Sequence, residues 1–404
     1  MAEILFLAHR APWPPDRGDR IRSWQIFQAL TKLGNVHVAA LVDDDHDGDI
    51  AHAKMAPMAA SIFLAPRRVS RPAAIIRALA KGTPASVEMF RDAGLAHHVG
   101  GMIRHGPISH IVGFSSQMGQ YIPPRSHFSG PIVMDFVDVD SAKFDAYAAD
   151  GRAGPLRWVH GREGQMLAAY EAALARRVDA SLFVSEAEAA LFRSRSGLGT
   201  DSVHAMGNGI DTEFFDPHAD FARLSPDSGG TGPLAVFTGQ MDYRPNVDAA
   251  AWFVRDVLPR WRAMTPHARF AIVGRAPTAE VTALAKVDGV IVTGAVPDVR
   301  PWLARADVIA APLLLARGVQ NKVLEALAMA RPVVVSAAAA EGIDADDGVH
   351  LAVADGAAAM AAALTSICVD PARARAMGAA ARARMISHYG WDARMAPLAG
   401  LLGL

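Results

Sequence analysis

The chain has 404 residues, 51% hydrophobic and 20% charged, enough apolar mass for two cored domains rather than one or three. A formal net charge of −1 argues against recruitment by a nucleic-acid backbone. The single cysteine, Cys368, excludes an internal disulfide and any cysteine-based metal cluster, and fits a reducing compartment. The opening MAEILFLAHRAPWPP lacks a basic leader, and its apolar run stops at His9 and Arg10. With no run of 18 apolar residues anywhere, the expectation is a cytoplasmic protein, at most peripheral at the inner face of the plasma membrane.

Residues 4–8 read as the first buried strand. The loop RAPWPPDRGDR follows, stiffened by three prolines and released by Gly18. A helix is expected over 21–33, with Ile21, Trp24, Ile26, Phe27 and Leu30 largely on one side. Gly34 ends it, and 36–42 is a second strand. This is a βαβ opening, the start of a Rossmann-like half, yet it has no GxGxxG, so a dinucleotide cofactor gets little support. Residues 61–64 form a third strand. Arg67, Arg68, Arg71, Arg77 and Lys81 then come with no acid before Glu88, interleaved with Ile75, Ile76 and Leu79. Such a basic amphipathic segment can rest on anionic lipid, and it can equally be a solvated helix face. Further strands are expected at 108–114 and 131–136. Asp135, Asp138 and Asp140 cluster after the latter, a candidate divalent-ion site or a set of caps and cleft-lining groups. A long helix over 158–178, a strand over 180–184 and a helix capped by Ser185, with Glu188 at capping-box spacing, complete this half.

Asn208-Gly209 is a turn signal, and residues 222–233 are rich in Ser, Gly, Pro and Asp. From Leu234 a second βα alternation runs LAVFTG, FAIVG, VIVTG, VIAAP and VVVS, with a helix expected from Asp248. These short, almost wholly apolar strands suit a parallel sheet covered on both faces. The segment 312–336, PLLLARGVQNKVLEALAMARPVVVS, reads as loop, helix and strand. Lys322 and Arg317 place cations near the helix start. Glu325, three residues after Lys322, leaves a neighbouring part of the same face. A cation there can neutralise departing phosphate oxygens, and a carboxylate can accept two hydrogen bonds from a sugar diol. A plain surface i,i+3 pair is the alternative reading of the same two residues.

The segment 312–336 resembles the donor-site signature of glycosyltransferase family 4, a retaining nucleotide-sugar transferase family. The run ARGVQNKVLEALAMARPVV looks like its branch associated with exosortase systems and exopolysaccharide loci. In that signature two glutamates stand eight positions apart; Glu325 matches the second, and Arg317 occupies the position of the first, which contacts the donor sugar. GNGIDTEFFDP resembles the family's inter-domain phrase. The resemblance implies a GT-B fold: an acceptor-side Rossmann-like domain over 1–205, a donor-binding domain over 206–385, and a C-terminal helix over 386–404 returning to the first. It makes Lys322 a catalytic cation for the leaving diphosphate. The family usually carries an Arg directly after the glycine of LAVFTG and a Lys five residues on, but Gln240 and Pro245 stand there, so Arg244 is the substitute cation. Gly18, Gly239, Gln240, Val296, Arg317, Asn321 and Glu325 become donor-binding residues, with Val296 beside the base. Arg17 and Asp138 become acceptor-side residues, and no family cleft histidine can be assigned in GFSSQMGQY.

The implied activity is retaining transfer, of hexosyltransferase type, from a nucleotide-diphosphate sugar to a glycan or lipid-linked acceptor in bacterial exopolysaccharide synthesis. No cofactor or metal is expected, and no nucleic acid is a partner. Two alternatives share the architecture: a nucleotide-sugar epimerase, and a non-catalytic nucleotide- or glycan-binding protein.

Overall fold

The computed structural model describes residues 1–150, 155–224, 230–316 and 319–404. The chain divides into two compact units, one comprising Met1–Asn208 and Arg394–Leu404, the other Gly209–Ala393. The boundaries expected at 205/206 and 385/386 thus fall at 208/209 and 393/394.

The first unit is a seven-stranded, wholly parallel sheet. Its strands are β1 (Ala2–Ala8), β2 (Gly34–Val42), β3 (Ser61–Pro66), β4 (His110–Phe114), β5 (Ile132–Val137), β6 (Ala180–Phe183) and β7 (Val203–Ala205), in the order β3-β2-β1-β4-β5-β6-β7. Leu5, Leu7, Ile111, Met134 and Phe136 are buried in its core, as a sheet covered on both faces requires. The first helix, Gly18–Leu33, begins three residues before the expected start, with Asp19 in its first turn facing the positive dipole end. Inside this unit Arg22 spreads its fork in three directions. Nε donates to Asp135 at 2.8 Å, one terminal nitrogen to the Asn208 side chain at 3.0 Å, and the other to the Met206 carbonyl at 2.7 Å.

One helix inverts the usual burial pattern. Arg71–Lys81 is capped by the Ser70 hydroxyl and ended by Gly82 in the left-handed region. It buries only Ala74 and Ala78, while Ile75, Ile76 and Leu79 are 39%, 68% and 50% exposed. At 100° per residue these three span an arc of about 100° on one side, while Arg71, Arg77 and Lys81 fall on the side of the alanines.

The second unit is a six-stranded parallel sheet of β8 (Leu234–Thr238), β9 (Arg269–Val273), β10 (Val290–Val292), β11 (Val308–Ala311), β12 (Val333–Val335) and β13 (Ala352–Val353), in the order β10-β9-β8-β11-β12-β13. Val236, Phe237, Phe270, Ile272 and Trp261 lie in its core, and the Phe253 and Phe270 rings stack at 3.9 Å. The helix expected from Asp248 begins instead at Arg244, where Pro245 suits the first turn. At the chain end the single expected helix is several pieces, because Gly390 is extended and Pro397 starts a new turn. Met385–Tyr389 and Trp391–Met395 are followed by Pro397–Leu402, which packs on the Gly18–Leu33 helix and β5. Among the described residues no helix is long and apolar enough to cross a membrane.

Candidate active site

The six-stranded sheet reverses its winding between β8 and β11, and ligands of such sheets sit beyond the strand C-termini at that switch. A cavity of about 710 Å³ opens there. The turn after β8 contributes Gly239 and Gln240, the turn after β9 Gly274 and Arg275, and the loop after β10 Val296. Asn321, Lys322 and Glu325 come from the helix Asn321–Ala328. Gly239 and Gly274, at φ 158° and 154°, follow the register pair Thr238 and Val273. A Cβ on Gly274 would stand 1.6 Å from the Gly239 carbonyl oxygen, and one on Gly239 would stand 3.2 Å from Lys322 Nζ. The Lys322 ammonium therefore lies against bare backbone at the cavity floor.

The two ionisable groups of the Asn321–Ala328 helix are held away from their ordinary states. Burial lowers Lys322 to about 8, with Glu325 pulling the other way. Burial raises Glu325 to about 7, opposed by Lys322. Lys322 donates to the Asn246 side-chain oxygen, and its ammonium sits 4.8 Å from the centre of the Phe237 ring. Asn246 in turn donates from Nδ2 to the Gln240 carbonyl at 2.8 Å, which fixes the orientation of its amide. The helix N-terminus adds its positive dipole end to this side of the cavity, so the floor suits an anion.

Arg244 does not join this group. It opens its helix, lies exposed, and pairs with Asp248 and Glu280, on a separate cavity of about 470 Å³ that Leu314, Leu315 and Trp252 also line. Arg317 lies outside the described residues.

In the first unit a smaller cavity, about 240 Å³, opens beyond the C-termini of β1, β4 and β5. His9, Arg10, Asp19, Gln117, Asp138 and Lys143 are among its lining residues. His9 is buried, stacked on Phe114 at 5.6 Å, and its Nε2 lies 3.3 Å from Asp19. Burial lowers the His9 pKa more than Asp19 raises it, which favours the neutral imidazole. Burial opposes ionisation of Asp19, but the His9 hydrogen bond and the charges of Arg17 and Arg10 outweigh it and hold the carboxyl well below its usual range. Two non-glycine residues here, Ser115 and Val137, adopt φ of 74° and 71°, a strained conformation that concentrates at functional sites. The aspartate cluster is divided. Asp135 is buried on Arg22, while Asp138 and Asp140 take Lys143 at 2.7 and 3.2 Å. Among the described residues no group of three or more His, Cys, Asp or Glu is placed to hold a metal ion. Arg17 pairs with Asp19 at 3.0 Å, and Gly18 is the first residue of its helix, where a Cβ would meet nothing within 4 Å. Neither Arg17 nor Gly18 is among the residues lining the two cavities.

Residues 232–370 match the family described as glycosyl transferases group 1. The chain is 32% identical over 276 residues to the GDP-mannose-dependent alpha-(1-6)-phosphatidylinositol monomannoside mannosyltransferase of Mycolicibacterium smegmatis, covering 62% of this chain and 71% of that protein. The chain belongs to the group 1 glycosyltransferases. Its fold is GT-B: HepE of Anabaena in complex with UDP matches with a TM-score of 0.63 at 14% identity, over 99% of each chain. Sucrose-phosphate synthase of Thermosynechococcus elongatus matches with a TM-score of 0.64 at 20% identity, over 99% of this chain and 98% of that one.

In this glycosyltransferase the structure gathers Gly239, Gln240, Val296, Asn321, Lys322 and Glu325 around one cavity. Sequence reasoning passed over Arg275 and His9, which line the two cavities, and Asn246, which holds Lys322 from behind. Arg275 was visible only as the residue after FAIVG, Asn246 as a neutral residue just before the expected helix start, and His9 as the end of the first apolar run.

Proposed function

We propose that this glycosyltransferase binds a nucleotide-diphosphate sugar in the cavity of its second unit. It transfers the sugar with retention to a glycan or lipid-linked acceptor in bacterial exopolysaccharide synthesis. The observation carrying this reading is the placement of half-buried Lys322 and Glu325 on one helix face lining the cavity, with the Lys322 ammonium against the bare backbone of Gly239. Lys322 meets the diphosphate and stabilises the charge that grows on it as the C1–O bond breaks. Glu325, ionised above about pH 7, accepts hydrogen bonds from a diol, the ribose first. The acceptor hydroxyl attacks C1 on the face the diphosphate leaves. Its proton passes to a diphosphate oxygen, and nucleoside diphosphate departs, so the step needs no protein nucleophile and no metal. Similar proteins take such donors: HepE forms complexes with UDP and with UDP-glucose, and the mycobacterial relative is GDP-mannose-dependent.

The acceptor side of the reading is the cavity of His9, Asp138 and Lys143, where neutral imidazole and paired charges can meet sugar hydroxyls. The Arg71–Lys81 helix gives the protein a peripheral seat on the anionic inner face of the plasma membrane, where a lipid-linked acceptor is presented.

Turnover of UDP-glucose and GDP-mannose, followed by NMR with and without a lipid-linked glycan acceptor, tests the reading. Transfer that requires acceptor and disappears in Lys322→Ala is the expected result. Conversion of donor in the absence of acceptor would instead identify an epimerase.

A further inference from the structure

Resting on the donor reading of the second-unit cavity, we propose that Arg275 is the second cation of a two-point clamp on the donor diphosphate, and that Gln240 is the arm that aims it. A phosphate-binding cation must be unspent, and Arg244 is not: two carboxylates, Asp248 and Glu280, hold its guanidinium. Arg275 has a different partner. One of its terminal nitrogens donates to the Gln240 side-chain oxygen at 2.9 Å. Gln240 is a neutral amide, so the contact orients the guanidinium without cancelling its charge. Among the described residues no carboxylate lies within ion-pair distance of Arg275.

The backbone supports the same geometry. Arg275 follows Gly274, whose backbone touches that of Gly239, and the Met241 N–H donates to the Arg275 carbonyl at 2.9 Å. Ala276, at φ 54°, turns the chain sharply just beyond. The base of the Arg275 side chain is thus pinned to the turn that carries Gln240.

Gln240 also reaches the other cation. Its carbonyl accepts from Asn246 Nδ2, and the Asn246 oxygen accepts from the Lys322 ammonium. One residue therefore indexes both cations, Arg275 through its side chain and Lys322 through Asn246. Both cations line the same cavity, beside the positive end of the Asn321–Ala328 helix. A planar guanidinium meets phosphate oxygens with two parallel donors, while the ammonium acts as a point charge, so the pair suits two adjacent phosphates.

The test is titration of UDP, GDP and ADP, and of the matching nucleosides, into wild type, Arg275→Ala, Gln240→Ala and the double variant Gln240→Arg/Arg275→Ala. The diphosphate that binds wild type best is expected to bind Arg275→Ala about tenfold to a hundredfold more weakly. The nucleoside alone should change by less than about twofold, since it lacks the phosphates. Gln240→Ala should show a smaller loss of the same kind. The double variant, which returns a cation to the turn after β8, should recover most of the lost affinity. Equal diphosphate affinity in wild type and Arg275→Ala would overturn the clamp while leaving the donor site standing. A loss equal for nucleoside and diphosphate would also overturn it, since that is the mark of a distorted cavity. If none of the three diphosphates binds wild type, the donor reading falls and the clamp with it.

Discussion

Lys322 has to be protonated to hold a phosphate, yet its surroundings favour the neutral amine. With Lys322 lowered to about 8, the free site begins to lose its cation just above neutral pH. Nucleoside diphosphate affinity is therefore expected to fall as pH drops through about 7, where Glu325 loses the charge that accepts the ribose, and to fall again as pH rises through about 8. A bound diphosphate favours the ammonium, so binding at pH 8 takes up protons. Calorimetry in two buffers of different ionisation enthalpy measures that uptake; an apparent enthalpy independent of buffer would remove Lys322 from the phosphates. Glu325 gives a second handle, because its charge raises the Lys322 pKa. Glu325→Gln keeps the shape and removes the charge. The alkaline limb should move to lower pH, and transfer should fall by about tenfold or more through the lost diol contact. A limb that stays in place would show that the two groups do not sense each other. The Asn246 amide belongs to the same set, since it points the ammonium at Gly239 without neutralising it.

At the scale of elements, the donor cavity depends on two strands ending side by side. Gly239 and Gly274 touch backbone to backbone, so no side-chain movement can relieve a Cβ on Gly274 that would lie 1.6 Å from a carbonyl oxygen. Gly274→Ala should force the β8 and β9 turns apart. It should lower stability by about 1–3 kcal/mol or more, given the additional left-handed strain, and abolish diphosphate binding. A folded variant that binds normally would show that the turns are not in contact. This contact also marks where sequence reading stops. Five of the six strands of the second unit were legible as short apolar runs, four of them closed by Gly or Pro, while the two-residue β13 was not. Lys322 and Glu325 were legible because three residues on one helix fix a shared face. Arg275 reaches Gln240 only because β9 lies beside β8, and His9 reaches Phe114 only because β1 lies beside β4. Sheet order of that kind is non-local and leaves no mark at either residue. Arg244 stands apart from the donor cavity because its helix begins earlier than the pattern indicated, which sets its side chain beside Asp248 one turn on. The Arg71–Lys81 helix shows the opposite case, a surface written in the sequence and sharpened by burial. Replacing Ile75, Ile76 and Leu79 with Ser together should abolish flotation with phosphatidylglycerol vesicles while leaving diphosphate affinity unchanged. Undiminished flotation, or none in wild type, would count against a membrane seat on this helix.

For the whole molecule, two separately cored units share one chain, and one buried residue stands where the first gives way to the second. Arg22 and Asp135 are both fully buried, and Arg22 also holds the Met206 carbonyl and the Asn208 side chain, the last residues before the second unit begins. Burial pushes the Asp135 pKa up, and the Arg22 charge opposes it. Removing Arg22 leaves a carboxylate without its counter-charge and the Met206 carbonyl without its donor. Breaking a buried pair from one side costs about 3–5 kcal/mol, and for a unit of this size that corresponds to a fall in melting temperature of roughly 10 °C. Asp135 can answer by taking up a proton, so the loss in Arg22→Ala should be smaller at low pH than at pH 8. The second unit keeps its own core and its own cavity. Calorimetry of Arg22→Ala should therefore show the first unit's transition lowered and separated. The second unit's transition should stay near its wild-type temperature and still rise with the nucleoside diphosphate that binds best. One cooperative transition lowered as a whole, with the ligand shift lost, would mean that the second unit cannot hold its donor site without the first.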